Sequence, residues 1–231
     1  MNRFNRKLTG HTSLLFDYGI DIENRRIWLM DDICETEFEA TACAFHYFNS
    51  DPDKKYKPIE LIICSNGGSV ETMFGFYDLI RSSESPVHTI VIGTACSAAV
   101  LVAICADKRY ATENAHMMHH SSKAFSDDLS EKELESRASI IKDMADRTYK
   151  LLSLHSFETE AWWRKGAQHS GEIWMTAEEM LIHGCIDGII PNKPYKKLRR
   201  PRVIKKKVED EQAPKQKSER PKPTKPRKKQ N

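Results

Sequence analysis

The chain has 231 residues, with 36 Lys and Arg against 33 Asp and Glu and a hydrophobic share of 39%, room for one domain of roughly 190 residues plus appendages. No apolar run approaches the roughly 20 residues that span a bilayer, and the polar start Met1-Asn2-Arg3-Phe4-Asn5-Arg6-Lys7 lacks a signal-peptide core, so neither membrane insertion nor export is expected. The cysteines at 34, 43, 64, 96, 105 and 185 show no CxxC spacing and several sit in apolar runs, which reads as reduced, buried thiols in a cytoplasmic protein.

Residues 1–24 carry little periodic signal beyond Leu14-Leu15-Phe16 and read as an N-terminal arm. From there, strand-like runs at 26–30, 59–64, 87–92 and 115–120 alternate with helical patterns at 36–48, 71–82 and 97–106. That alternation predicts an α/β fold of stacked βαβ units with parallel strands. A long helix is expected from about Leu129 to Leu154, with Leu134, Ala138, Ile141, Ala145, Thr148 and Leu152 on one stripe. Ser126-Asp127-Asp128 ahead of it supplies caps and negative charge for its dipole. The domain reads as 25–192. Residues 193–231 hold 17 Lys and Arg against four acidic residues, a net of +13, leaving −10 on residues 1–192. This Pro- and Lys-rich tail has too few large apolar residues to offset its ordering entropy and is expected to be disordered. It is either a solvated tail or a segment that docks on an acidic surface or nucleic acid.

Chemistry concentrates at three places. In Gly93-Thr94-Ala95-Cys96-Ser97-Ala98-Ala99 a hydroxyl stands between an apolar strand and an apolar helix. The helix N-terminus offers unpaired N–H groups and positive potential for an oxyanion beside Ser97. A plain helix N-cap serine is the simpler alternative. Ile59 to Cys64 runs into Ser65-Asn66-Gly67-Gly68-Ser69-Val70, where paired glycines permit positive φ and close approach of a ligand, and no GxxxxGK[ST] phosphate loop is present. His116, His119 and His120 follow. In a strand His116 and His120 share one face and His119 the other, so a single histidine acting as base fits better than a metal site.

Taken together in order, Arg26-Ile27-Trp28-Leu29, the turn at 65–70, Gly93 to Ser97, Lys108-Arg109-Tyr110, Met118-His119-His120, Met175-Thr176-Ala177-Glu178-Glu179 and Gly184-Cys185-Ile186-Asp187 resemble the ClpP family, the proteolytic subunit of the Clp protease. The resemblance covers roughly Arg25 to Ile190. It implies the ClpP/crotonase fold with a protruding long handle helix, and a serine endopeptidase with Ser97 as nucleophile and His120 as base. It places the oxyanion donors on the backbone N–H groups of Gly68 and Ala98. Asn66 stands where the family has proline. Glu172 falls where the family has its orienting aspartate, and glutamate can serve in such a set. The resemblance further implies a homo-oligomeric ring, in a double heptamer joined through the handles, that degrades unfolded polypeptide. An AAA+ unfoldase would supply ATP-driven translocation, and the chain itself would need no cofactor or metal. The family's Pro- and Gly-rich segment after the histidine is replaced by Ser121-Ser122-Lys123-Ala124-Phe125. Two other readings stay open: a crotonase-fold acyl-coenzyme A hydrolase or hydratase, and a catalytically silent ring subunit or virus-type assembly protease tethered by the tail.

Overall fold

The computed structural model describes residues 10–54, 56–121, 131–169 and 171–194. In chain order it contains α1 (Gly10–Tyr18), β1 (Ile20–Asp21), β2 (Arg26–Leu29), α2 (Glu35–Asn49), β3 (Ile59–Ser65), α3 (Val70–Arg81), β4 (Val87–Cys96) and α4 (Ala98–Ile104). These lead to β5 (Lys108–Thr112), β6 (His116–His120), α5 (Glu131–Leu154), α6 (Glu160–His169), β7 (Glu172–Thr176), α7 (Ala177–Ile182) and β8 (Gly188–Ile190). The N-capping segment expected at 126–128, most of the basic tail and residues 1–9 lie outside the described residues.

The α/β alternation expected from the sequence produces a parallel sequence of strands β2-β3-β4-β5-β8. Two pairings depart from the all-parallel expectation: β1 runs antiparallel to β2, and β7 antiparallel to β6. The segment expected to be an arm thus contributes a helix and an edge strand from residue 10 onward.

The β4 strand places the site. Its first half pairs with β5 through His88 to Val91, and its second half pairs with β6 through Thr94 to Cys96. Between the halves, the register against β3 jumps from Ile63–Val91 to Ser65–Ala95, so β4 carries two extra residues. Gly93 absorbs that bulge at φ 75°, a conformation costly for any residue with a Cβ. As a result β6, with β7 antiparallel to it, pairs with the end of β4 that runs into Ser97.

Apolar burial holds this arrangement. All seven residues of α4 are buried, and the helix packs between β3, β4 and β6 on one hand and α3 and α5 on the other. Each of its larger side chains, Val100, Leu101, Val102 and Ile104, contributes roughly 1.5–3 kcal/mol by leaving water. The landmark Arg109 is a clamp. Its guanidinium pairs with Asp187 at 2.6 Å and donates to the carbonyls of His155 and Gly184, tying β5 to the segment before β8. The landmark at 175–179 is a capping box at the start of α7, with Thr176 and Glu179 satisfying each other's backbone N–H groups.

The stripe on α5 divides in two. From Lys132 to Ile140 every residue is exposed, including Leu134 and Ile140, whereas Thr148, Tyr149 and Leu152 are buried against the core. Among the described residues, packing on the core accounts for the C-terminal half of the helix. All six cysteines are unpaired, and burial pushes the thiols of Cys105 and Cys185 up to about 12, which keeps them protonated and inert. No helix among the described residues is long and apolar enough to cross a membrane.

Candidate active site

Ser97 occupies the N-cap position of α4, yet its hydroxyl makes no capping hydrogen bond. Its backbone adopts φ 53° and ψ −120°, a region that L-residues rarely enter. Strain of this kind, on the order of 1–3 kcal/mol, persists only where the surroundings enforce it. Here they do so through the Ser97 N–H, which donates to the Met118 carbonyl at 2.7 Å, and the Ser97 carbonyl, which accepts from Val100 at 3.1 Å. A sharp strand-to-helix turn of this form lifts the side chain out of the sheet and leaves the first N–H groups of α4 beside it. The simple N-cap alternative is therefore not what this geometry provides.

The glycine turn presses against that junction. Gly67 is buried at φ 101°, and a Cβ built there would lie 2.6 Å from the Cys96 carbonyl oxygen and 2.7 Å from the Ser97 Cβ. Ser65 Oγ accepts the Gly67 N–H at 3.2 Å. The Ile33 N–H donates to the Gly67 carbonyl and the Ser69 N–H to the Ile33 carbonyl, each at 2.8 Å. These bonds fix the turn through Gly67 and Ser69 and do not use the N–H of Gly68, which is exposed. Gly68 and Ala98 thus sit on two turns in contact with each other, where two N–H groups can converge on one oxygen. Gly67→Ala is expected to displace the Ser97 backbone, lower peptide turnover at least about 10²-fold, and cost about 2 kcal/mol or more of stability. A thermal scan with an activity assay checks both.

The histidines separate by strand alternation. His119 is 5% exposed, and its ring lies edge-on to those of Tyr149 and Trp163 at 5.8 and 5.4 Å. It belongs to the core, and burial, with His120 beside it, pushes its imidazole down to about 4. His120 is half-buried on the opposite face, two residues beyond Met118 on the strand that binds the Ser97 N–H. Its Nδ1 lies 2.8 Å from the Ser121 carbonyl oxygen. A carbonyl only accepts, so Nδ1 carries the proton and Nε2 keeps its lone pair, the tautomer a general base needs.

Glu172 is the direct cross-strand partner of His120, which brings their Cβ atoms to about 4.5–5.5 Å on one face. Its Oε2 accepts from the indole N–H of Trp174 at 2.7 Å. The sequence reading missed Trp174 and the Ser121 carbonyl. The signal for Trp174 was its place two residues from Glu172, which in a strand means the same face. No cluster of metal-ligating side chains occurs among the described residues.

The chain resembles known proteins along most of this domain. The family model described as Clp protease matches residues 15–193. The "ATP-dependent Clp protease proteolytic subunit 1" of Chlamydia pneumoniae is 28% identical over 181 residues, covering 73% of this chain and 88% of that protein. The "ATP-dependent Clp protease proteolytic subunit 2" of Treponema denticola is 29% identical over 140 residues, 59% of this chain and 68% of that protein. A solved structure of a ClpP1 mutant from Listeria monocytogenes superposes with a TM-score of 0.66 at 22% identity, over 74% of this chain and 94% of that one, and so shares the fold. With a family model spanning the whole of the domain that carries Ser97, His120 and Glu172, the chain belongs to the Clp protease family and is a ClpP-type proteolytic subunit.

Proposed function

We propose that the chain is a serine endopeptidase that hydrolyses peptide bonds of unfolded proteins within an oligomeric chamber. The observation that carries this reading is the strained Ser97 backbone at the junction of β4 and α4, with its hydroxyl spared from capping. In the reaction, Ser97 Oγ attacks the peptide carbonyl carbon while its proton passes to His120 Nε2. The N–H groups of Gly68 and Ala98 receive the oxyanion, and the C–N bond breaks as His120 returns the proton to the leaving amine. Water, deprotonated by His120, then hydrolyses the acyl-enzyme and restores the Ser97 hydroxyl. Glu172 orients His120 and stabilises its charged form. No cofactor or metal enters any step.

Hydrolysis of a fluorogenic peptide by the full chain tests the reading. Glu172→Gln is expected to lower kcat about 10²-fold or more; unchanged turnover removes Glu172 from the set. A chain that forms oligomers but hydrolyses neither peptide nor ester contradicts the peptidase reading in favour of a silent subunit. Turnover of an acyl-coenzyme A thioester in its place would favour crotonase-type chemistry.

The exposed N-terminal half of α5 supports assembly through a handle, with Leu134 and Ile140 among its exposed apolar groups. Replacing both by glutamate is expected to reduce the assembly to single rings or smaller in sedimentation velocity, with the thermal stability of the domain little changed. An undiminished sedimentation coefficient would rule out this contact. In the same reading the assembly works in the cytoplasm with an AAA+ unfoldase, in keeping with the ATP dependence in the names of its relatives.

A further inference from the structure

We propose that Trp174, backed by His116 and flanked by Met118, is a specificity-determining residue that receives an aromatic or long aliphatic side chain from the leaving half of the substrate, at one of the first two residues after the scissile bond. The inference rests on the reading of Ser97 and His120 as nucleophile and base. Strand register lays out the surface. Cys96 of β4 pairs with Met118 of β6 and Met118 with Trp174 of β7, and the next row on the same face is His120 with Glu172. The opposite face of the hairpin belongs to the core, where Met117, His119 and Met175 are at most 5% exposed. Trp174, by contrast, is 53% exposed. The Met118 carbonyl accepts the Ser97 N–H, which keeps this row beside the nucleophile.

The exposed indole is held in place. Its N–H donates to Glu172 Oε2 at 2.7 Å, and its ring lies against that of His116 with centroids 5.5 Å apart and planes tilted by 38°. A ring fixed in this way, with half its surface in water, binds a second ring or an aliphatic chain at little ordering cost of its own. Met118 beside it is half-buried, and its thioether chain adapts to apolar groups of different shape. The reaction decides which part of the substrate lies there. The acyl carbonyl is directed toward α4 and the glycine turn by the N–H groups of Gly68 and Ala98, whereas the leaving amine takes its proton from His120 and departs over the imidazole. The row of Met118 and Trp174 lies two strand residues from the row of His120 and Glu172, roughly 6.5–7 Å. That span matches the first two side chains of the leaving half.

Two internally quenched peptides that share one acyl half and carry either phenylalanine or alanine at the first two positions after the scissile bond test this with the full chain, the cleaved bond being verified from the product masses. The ratio of their kcat/KM values reads the contact, because kcat/KM includes every interaction made before the leaving half is released. Wild type is expected to prefer the phenylalanine peptide about five- to twentyfold. Trp174→Ala is expected to bring the ratio to within about twofold of one, while Trp174→Phe, which keeps a ring and deletes the N–H, retains most of the preference. An effect that acts through Glu172 scales both peptides alike, so Glu172→Gln is expected to slow both and keep the ratio. A wild-type ratio near one, an undiminished ratio in Trp174→Ala, or a preference lost equally in Glu172→Gln would each overturn the proposal. So would dissociation of the Trp174→Ala assembly in sedimentation velocity, which would make this face a contact between subunits. Hydrolysis of neither peptide by the wild-type chain would instead contradict the peptidase reading itself.

Discussion

Ser97→Gly is expected to abolish peptide hydrolysis, on the order of 10⁴- to 10⁶-fold in kcat, while raising the stability of the fold. The two effects have separate causes. The hydroxyl is the nucleophile in this account, and nothing else at the junction of β4 and α4 replaces it. The Cβ of Ser97 is carried at φ 53° and ψ −120°, a conformation that glycine adopts without the strain of about 1–3 kcal/mol that other residues incur. Glycine also gives the unfolded chain more freedom, worth about 0.5–1 kcal/mol against the fold. The net gain is about 1 kcal/mol, or roughly 2–4 °C in Tm for a domain of this size. Ser97→Ala keeps the Cβ and therefore the strain, so it should lose activity without gaining stability. A serine that served only as a helix cap would behave differently: Ser97→Ala would lose the capping bond and lower Tm. Thermal scans at one protein concentration, with an activity assay alongside, separate the two cases.

His119→Leu is expected to stabilise the protein, and more so in acid. Both ring nitrogens of His119 are buried without a hydrogen-bond partner among the described residues. Removing such unsatisfied groups in favour of an apolar side chain is worth about 1–3 kcal/mol at neutral pH. Protonation adds a second contribution with a definite sign. The imidazole titrates near 6.5 in the unfolded chain and is pushed down to about 4 in the fold, first by burial and then by the neighbouring His120. Above pH 6.5 both states are neutral, and the group contributes no pH dependence. Between pH 6.5 and about 4 the unfolded state binds a proton that the fold refuses, so stability falls as pH falls, by roughly 3 kcal/mol over the whole window. At pH 5 the leucine variant should lead by about 2 kcal/mol more than at neutral pH. Equal advantages at pH 7.5 and pH 5 in denaturant titrations would show that His119 is not held neutral. The variant should also keep its peptidase activity, because His119 faces the core and His120 the site.

Much of the fold was legible in the residues because burial and periodicity agreed there. Ile59 to Cys64 and Val87 to Ile92 are apolar enough to mark central strands, and Ala98 to Ala106 is too apolar for any place but the interior. Elements held by other means were not legible. Lys108-Arg109-Tyr110-Ala111-Thr112 buries only Ala111 and is a strand because β4 and β8 pair with its backbone. The six-residue α7 is too short to show a period and depends on its capping box. The α1 helix has almost no apolar face to read, so the chain there looked like an arm.

The site divides in the same way. Ser97 and the glycine turn announce themselves through composition, whereas the choice of His120 over His119 comes from the family resemblance, with which strand alternation and the burial of His119 agree. The placement of Glu172 opposite His120 depends on the antiparallel register of β6 and β7. A pairing that joins residues 52 positions apart in the chain leaves no local pattern for the sequence to show.

The most direct measurement is intact-protein mass spectrometry after treatment with a fluorophosphonate, followed by peptide mapping of the adduct, on wild type, Ser97→Ala and His120→Ala. The account predicts one phosphonyl group per wild-type chain, located on Ser97, none on Ser97→Ala, and at most slow labelling of His120→Ala. An unlabelled wild-type chain that assembles normally, or an adduct on any other serine, would contradict it.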